Sequence, residues 1–305
     1  MSSGSGLPPA NTGLARLTSG AVRQLIEQQV SAYLGRAWRA TTVVDCTPMA
    51  SHPAATFSDG QFAVFVKRGQ SDAALDQFEK EAAGLRLLTQ RAGVLTPTVI
   101  ASLAVTDGAL IIMEAVPVVE RQIVHWRQFG QTLAHLHCVK GQSFGLVTDA
   151  YWGDLFQDNS PLEDWPDFFW QRRLAPRLRA AVDSGHLPGP VAAQVEKLRR
   201  RLPELCGPVV TPTLLHGDAH QNNFLSTAQG PVLIDPAVYY GHPEIDLAYV
   251  DFFQPVPDEL FRAYAEAAPL DPGFRERREL WRLPFWLAMV EVDGPRQLGG
   301  LLAGL

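Results

Sequence analysis

The stretch that most constrains this chain runs from Leu214 to Asp235. From Leu214 it reads Leu-Leu-His-Gly-Asp-Ala-His-Gln-Asn-Asn-Phe-Leu. Apolar residues flank a polar, glycine-bearing centre, which is the pattern of a loop held between short strands. Asp218 and Asn223 stand in a D-x-x-x-x-N spacing, and a loop can fold two such side chains towards one point. Twelve residues after Asn223 the apolar run Val232-Leu233-Ile234 delivers Asp235 to its end. Asn223 and Asp235 are hard oxygen donors, the kind that hold Mg²⁺ together with phosphate oxygens and water.

This spacing is that of a kinase catalytic loop, where the Asp accepts the proton of an acceptor hydroxyl and the Asn holds a metal ion. The Asp that ends the following strand binds Mg²⁺ bridging the β- and γ-phosphates. Two upstream features stand in the kinase order. Lys67 closes the apolar run Val64-Phe65-Val66, and Glu81 follows fourteen residues later on a predicted helix. A strand Lys on the α/β-phosphates and a helix Glu that orients it make the pair kinases use. Each piece alone is weak; the four in order point to phosphoryl transfer. The expected roles are Asp218 as catalytic base, Asn223 and Asp235 as metal ligands, and Lys67 and Glu81 as nucleotide-binding residues. Adenine is expected on a hinge near Glu114–Val116, and the cofactors are ATP and Mg²⁺.

Periodicity gives the frame. Helical spacing marks Ser19–Leu34 and Asp72–Arg91; Thr41–Asp45 reads as a strand. Thr56–Lys67 reads as a hairpin turning at Asp59-Gly60, and Val99–Val105 with Ala109–Ala115 as two strands turning at Asp107-Gly108. Beyond Pro117 helices dominate: one through Trp126–Leu136, then Pro161–Val182 and Val191–Leu202. A strand-and-turn region, Thr213–Ile234, follows, and the chain from Glu244 on is mostly helical. The expected fold class is α+β, a two-lobed protein-kinase-like fold with a small β-rich N-lobe and a larger, mainly helical C-lobe. Residues 1–18 read as a disordered tail, 19–115 as the N-lobe and 116–305 as the C-lobe.

Composition removes other classes. The 305 residues are 46% hydrophobic and 19% charged, with net charge −6. That suits a globular protein of two lobes and speaks against a nucleic-acid partner, which usually meets a basic surface. No apolar run reaches membrane-helix length, and the N-terminus has no basic region followed by an apolar core, so neither membrane nor secretion is expected. Cys46, Cys138 and Cys206 stand far apart and read as buried thiols in a reducing cytoplasm.

The chain resembles the fructosamine kinase (ketosamine kinase) family, which belongs with aminoglycoside phosphotransferases in the protein-kinase-like superfamily. The resemblance covers roughly Val64 to Arg278 and is most specific from Gly230 to Ala248, through Ile234-Asp235-Pro236-Ala237-Val238-Tyr239-Tyr240-Gly241-His242. Further matches are Phe129–His137, Phe144-Gly145, Gly153 with Gln157 and Asn159, Asp164-Trp165, Phe168–Leu174 and Phe78–Glu81. The resemblance implies phosphorylation of a sugar hydroxyl on a small-molecule or protein-bound ketosamine, with deglycation as the role. A kinase of an aminoglycoside or amino sugar, and a nucleotide-binding pseudokinase, are the alternatives. Oligomeric state is left open, monomer included. Two departures stand out. The family's L-W-S-G-N after H-G-D is here Ala219-His220-Gln221-Asn222-Asn223, and its Gly-rich turn before the Lys strand is here Thr47–Pro53, without glycine.

Plainer readings apply to several residues. His216 reads as scaffold rather than catalyst, and Asp246 as a holder of the loop by hydrogen bonds. A zinc site at His216 and His220 would need both on one helix, which Gly217 opposes. The aromatic cluster Trp165, Phe168, Phe169 and Trp170 reads as core, with an acceptor-lining role for part of it as the alternative.

Overall fold

The computed structural model describes residues 12–303. Two compact units divide the chain. Residues up to Ala82 with Pro97–Pro117 form the first; Ala83–Thr96 with Val118 onward form the second. The expected boundary at 115/116 left Ala83–Thr96 in the first. These residues fall to the second because Leu88, Ala92 and Val94 pack into its core and Leu95 bridges to Val232. Thr12–Thr18, within the stretch expected to be a tail, is helix α1; the remainder of that stretch, residues 1–11, lies outside the described residues.

In chain order the first unit holds α1 (Thr12–Thr18), α2 (Gly20–Leu34), β1 (Thr42–Asp45), β2 (Ala54–Ser58), β3 (Ala63–Gly69), the start of α3 (Ala74–Ala92), β4 (Val99–Val105) and β5 (Gly108–Glu114). The strands form one antiparallel sheet in the order β1-β2-β3-β5-β4. The turn between β2 and β3 is set by Asp59, whose Oδ1 accepts from the N–H groups of Gln61 (2.9 Å) and Phe62 (2.7 Å). Those bonds, the one from Phe62 first, hold its carboxyl down to about 2. Side chains alternate along β3. Val64 and Val66 join Phe57, Leu110, Ile112 and the helix residues Leu17, Ile26 and Val30 in one core. Lys67 therefore points to the other face.

The second unit continues with α4 (Ile123–His137), β6 (Ala150–Trp152), β7 (Leu155–Gln157), α5 (Trp165–Phe168), α6 (Ala175–Asp183), α7 (Gly189–Leu198) and α8 (Leu202–Leu205). Then come β8 (Thr213–Leu215), β9 (Phe224–Thr227), β10 (Gly230–Leu233), β11 (Tyr239–Gly241), α9 (Glu244–Tyr249), α10 (Glu259–Ala267), α11 (Phe274–Asp293) and α12 (Leu298–Ala303). The helix expected from Pro161 starts instead at Trp165. Leu162 exchanges two 2.9 Å backbone bonds with Phe144, and Asp164 caps the helix by accepting from Asp167 N. A π-helical turn, Phe169–Leu174, joins α5 to α6. Trp165, Phe168 and Phe169 are core, so the acceptor-lining alternative fails for them. Of the three cysteines only Cys206 is buried; Cys138 is exposed and Cys46 lies between. No helix among the described residues is long and apolar enough to cross a membrane.

His242 sits in this core between the rings of Trp165 and Trp281, and its Nδ1 accepts from Glu244 N at 3.2 Å. Burial, then the nearby Arg277 charge, pushes its imidazole down to about 3. The unfolded chain takes up a proton near pH 6.5 that the folded chain refuses until about pH 3, so stability falls as pH drops through that window. Urea unfolding at pH 5 should show about 2 kcal/mol less stability from this group than at pH 7. His242→Gln, which takes no proton, should flatten that dependence; an unchanged slope would refute the assignment.

Candidate active site

Two antiparallel ribbons frame the site. β8 pairs with β11, Leu215 opposite Tyr239, and β9 pairs with β10, Phe224 opposite Leu233. The loop His216–Asn223 leaves one ribbon for the other, and so does the loop Ile234–Val238. Backbone bonds stitch them together: Ala237 N to His216 O (2.9 Å) and Ile234 N to Asn223 O (3.1 Å). His216 adds a third tie, its Nε2 donating to Ile234 O at 3.0 Å while Nδ1 accepts from Asp218 N at 3.3 Å. Both of its ring nitrogens are thereby engaged, and burial pushes its pKa down. His216 is scaffold, as the plainer reading had it, and has no lone pair left for zinc.

Asp246, fully buried on α9, holds the loop from below. Its Oδ2 accepts from His216 N (2.8 Å) and its Oδ1 from Gly217 N (2.9 Å). His137 lies 3.2 Å from Oδ2 and is itself bonded to Tyr264 at 2.9 Å. Gly217 has φ +81°, and a Cβ there would lie 1.9 Å from Ala237 O, so the tie between the loops requires glycine. Trp152, on the β6–β7 hairpin, donates to Gly217 O at 2.9 Å. On the other flank Arg121 donates to Gln221 O (2.8 Å), to Phe224 O and to Ser226 Oγ (3.2 Å).

Asn223 spends its amide hydrogens on Asp218, reaching the backbone O at 2.8 Å and Oδ2 at 3.1 Å. Its carbonyl oxygen is then the group left for a cation. The other oxygen of Asp218, Oδ1, is buried without a hydrogen-bond partner among the described residues. Burial first, then the charge of Asp235, raises the Asp218 carboxyl well above its usual range; the Asn223 bond works the other way. Asp235 has φ +53°, a left-handed backbone that costs a non-glycine residue about 1–3 kcal/mol and is typical of functional sites. The donor set fits Mg²⁺, since Asn223 and Asp235 offer an amide carbonyl and a carboxylate with no soft ligand between them.

In the first unit Lys67 Nζ lies 2.7 Å from both carboxylate oxygens of Glu81, and its side chain is only 3% exposed. A pair this buried survives because each charge neutralises the other. Glu114 accepts from Tyr33 Oη at 2.7 Å, and Ala115 N donates to Ala63 O at 3.0 Å. The Val116 N–H has no hydrogen bond among the described residues. The turn Thr47–Pro53 closes on itself through Thr47 Oγ1, which donates to Ala54 O (3.3 Å) and accepts from Ala54 N (3.2 Å).

Asp218, Asn223 and Asp235 are thus brought together in the second unit, and Lys67 with Glu81 in the first. Gln157 and Asn159, which belong to the segment that matches the family, are buried. Asn159 Nδ2 donates to Thr148 O and Val238 O, and its Oδ1 accepts from Arg173. Sequence reasoning missed Arg121, Trp152 and Tyr264, whose partners lie 65 to 127 positions away along the chain.

An antiparallel sheet carrying a buried Lys–Glu pair, followed by a helical unit with two strand-framed loops, is the protein-kinase-like fold, and the protein is a phosphotransferase. The sequence profile described as fructosamine kinase matches residues 22–299, and the chain belongs to that family. A probable ketoamine kinase of Vibrio vulnificus is 31% identical over 262 residues, 85% of this chain and 90% of that protein. A crystal structure from Thermobifida fusca, provisionally named a fructosamine-3-kinase, is 32% identical with TM-score 0.79, covering 91% of this chain and 96% of that one. An aminoglycoside phosphotransferase solved with ADP and hygromycin B shares the fold, with TM-score 0.59 at 16% identity over 91% of this chain and 97% of that one.

Proposed function

We propose that this protein is an ATP- and Mg²⁺-dependent kinase that phosphorylates a sugar hydroxyl of a ketosamine, such as a fructose– or ribulose–lysine adduct. The observation that carries the reading is the orphaned Oδ1 of Asp218. A buried carboxylate oxygen without a partner costs free energy, and an acceptor hydroxyl bound there would remove that cost. In the transfer the hydroxyl proton passes to Asp218 Oδ1. The hydroxyl oxygen forms a bond to the γ-phosphorus, the bond to the β,γ-bridging oxygen breaks, and ADP leaves with that electron pair. Asn223 fixes the carboxylate through Oδ2, so Oδ1 is the oxygen that turns to the acceptor. Lys67, oriented by Glu81, neutralises the α- and β-phosphates, and the backbone at Glu114–Val116 receives adenine. Mg²⁺ held by Asn223 and Asp235 would neutralise charge on the β- and γ-phosphates.

The ketosamine acceptor is supported by the family and by the names of its members. A net charge of −6 favours a cationic secondary amine. Phosphate on the third sugar carbon would destabilise the adduct, giving the enzyme a deglycating role. Radiolabelled ATP offered with ketosamines, ribulosamines, amino sugars and aminoglycosides tests this. Label should enter ketosamines. Label entering only amino sugars or aminoglycosides would reject the acceptor and keep the kinase.

A further inference from the structure

One side chain beside Asp218 has no part in the chemistry described so far. His220 is the N-cap of the short 3₁₀ turn Gln221–Asn223, and its Nδ1 accepts from Asn222 N at 3.3 Å. That bond fixes the tautomer and leaves the hydrogen on Nε2. Nε2 lies 3.7 Å from Asp218 Oδ2, too far for a direct hydrogen bond, and it makes no other bond among the described residues. The ring is held edge-on against Phe253, 5.0 Å between centroids at 89°, and at the edge of Phe285 at 6.5 Å. A rigid N–H donor with no hydrogen-bond partner among the described residues thus stands one hydrogen-bond step beyond the carboxylate that receives the acceptor.

We propose that His220 selects the acceptor: its Nε2–H donates to an oxygen on the carbon next to the attacked hydroxyl, so the site prefers acceptors with a vicinal hydroxyl or carbonyl. Vicinal oxygens on a sugar are separated by roughly one hydrogen-bond length, so one can meet Asp218 Oδ1 while its neighbour meets His220. A ketose carbon between a carbonyl and a second hydroxyl satisfies this; an isolated hydroxyl does not. The inference rests on the acceptor site proposed at Asp218.

Three substitutions separate recognition from support of the loop. His220→Asn keeps an acceptor oxygen near Nδ1 for the Asn222 cap but loses the far donor. His220→Gln keeps a far N–H donor but loses the cap. His220→Ala loses both. With fructose–lysine as probe and saturating ATP, kcat/KM for the acceptor should fall about tenfold in the Ala and Asn variants. The Gln variant should stay within about threefold of wild type, and KM for ATP should not move in any of them. The proposal is overturned if Asn tracks wild type while Gln tracks Ala, since His220 would then be only a cap. It is equally overturned if all three stay near wild type. If wild type labels no ketosamine, the acceptor assignment has failed instead, and the same three variants are read on whichever polyol the panel labels.

Discussion

Exchanging Asp218 for Asn should cut turnover by about 10²–10⁴, the range general-base assistance supplies, and should leave ATP affinity close to wild type. The side chain keeps its size, and Asn223 Nδ2 can still donate to the amide oxygen that replaces Oδ2. What disappears is the basic oxygen at Oδ1. The same exchange removes a buried charge that Asp235 repels and that lacks one of its hydrogen bonds. Stability should therefore hold or rise while activity collapses, the pattern of a site strained for function. Single-turnover transfer at saturating ATP, alongside urea unfolding, reads both. Turnover within a few-fold of wild type would remove Asp218 from the chemistry.

How far the sequence revealed this site depended on the range of the interactions. Asp218, Asn223 and Asp235 were legible because their spacing is local and strands bracket them. Lys67 was legible because it ends an apolar strand run, and Glu81 because it stands on the following helix at the kinase distance. The first unit's strands were read within two or three residues, since alternation and the Asp-Gly turns are local signals. Asp246 was read as a hydrogen-bonding support from its place on a predicted helix after the strand that ends at Asp235, and it accepts from His216 and Gly217. By contrast β11 pairs only three residues with β8, twenty-four positions from Leu215 to Tyr239, and no short-range signal marks so brief a strand. The start of the helix at Trp165 turned on Leu162 finding Phe144, a tertiary contact that overrides helical spacing. Arg121 looks like a surface cation by composition, yet it ties three groups of the catalytic segment and lies 4.8 Å from the Trp126 ring centroid. Gln157 and Asn159 stand out in the sequence only as a motif without geometry, and Asn159 is a buried residue that ties Thr148, Val238 and Arg173 together.

Gly217→Ala should break the loop more than any other single methyl. The glycine combines φ +81° with a Cβ position 1.9 Å from Ala237 O, and Ala237 is itself tied to His216 O. The added methyl must push the two loops apart, weakening the bonds that set Asp218 against Asp235. Left-handed strain and overpacking together should cost about 2–4 kcal/mol of stability. Turnover should fall with it, since a misplacement of about 1 Å can cost on the order of 10²-fold. Gly153 is the control. Its φ is +53°, but nothing lies within 4 Å of a Cβ there, so Gly153→Ala pays only the backbone term, about 1–2 kcal/mol, and should keep its turnover. Urea unfolding and transfer assays on the two variants side by side decide the matter. If Gly217→Ala unfolds and turns over like Gly153→Ala, the close approach to Ala237 is not what holds the catalytic loop in place.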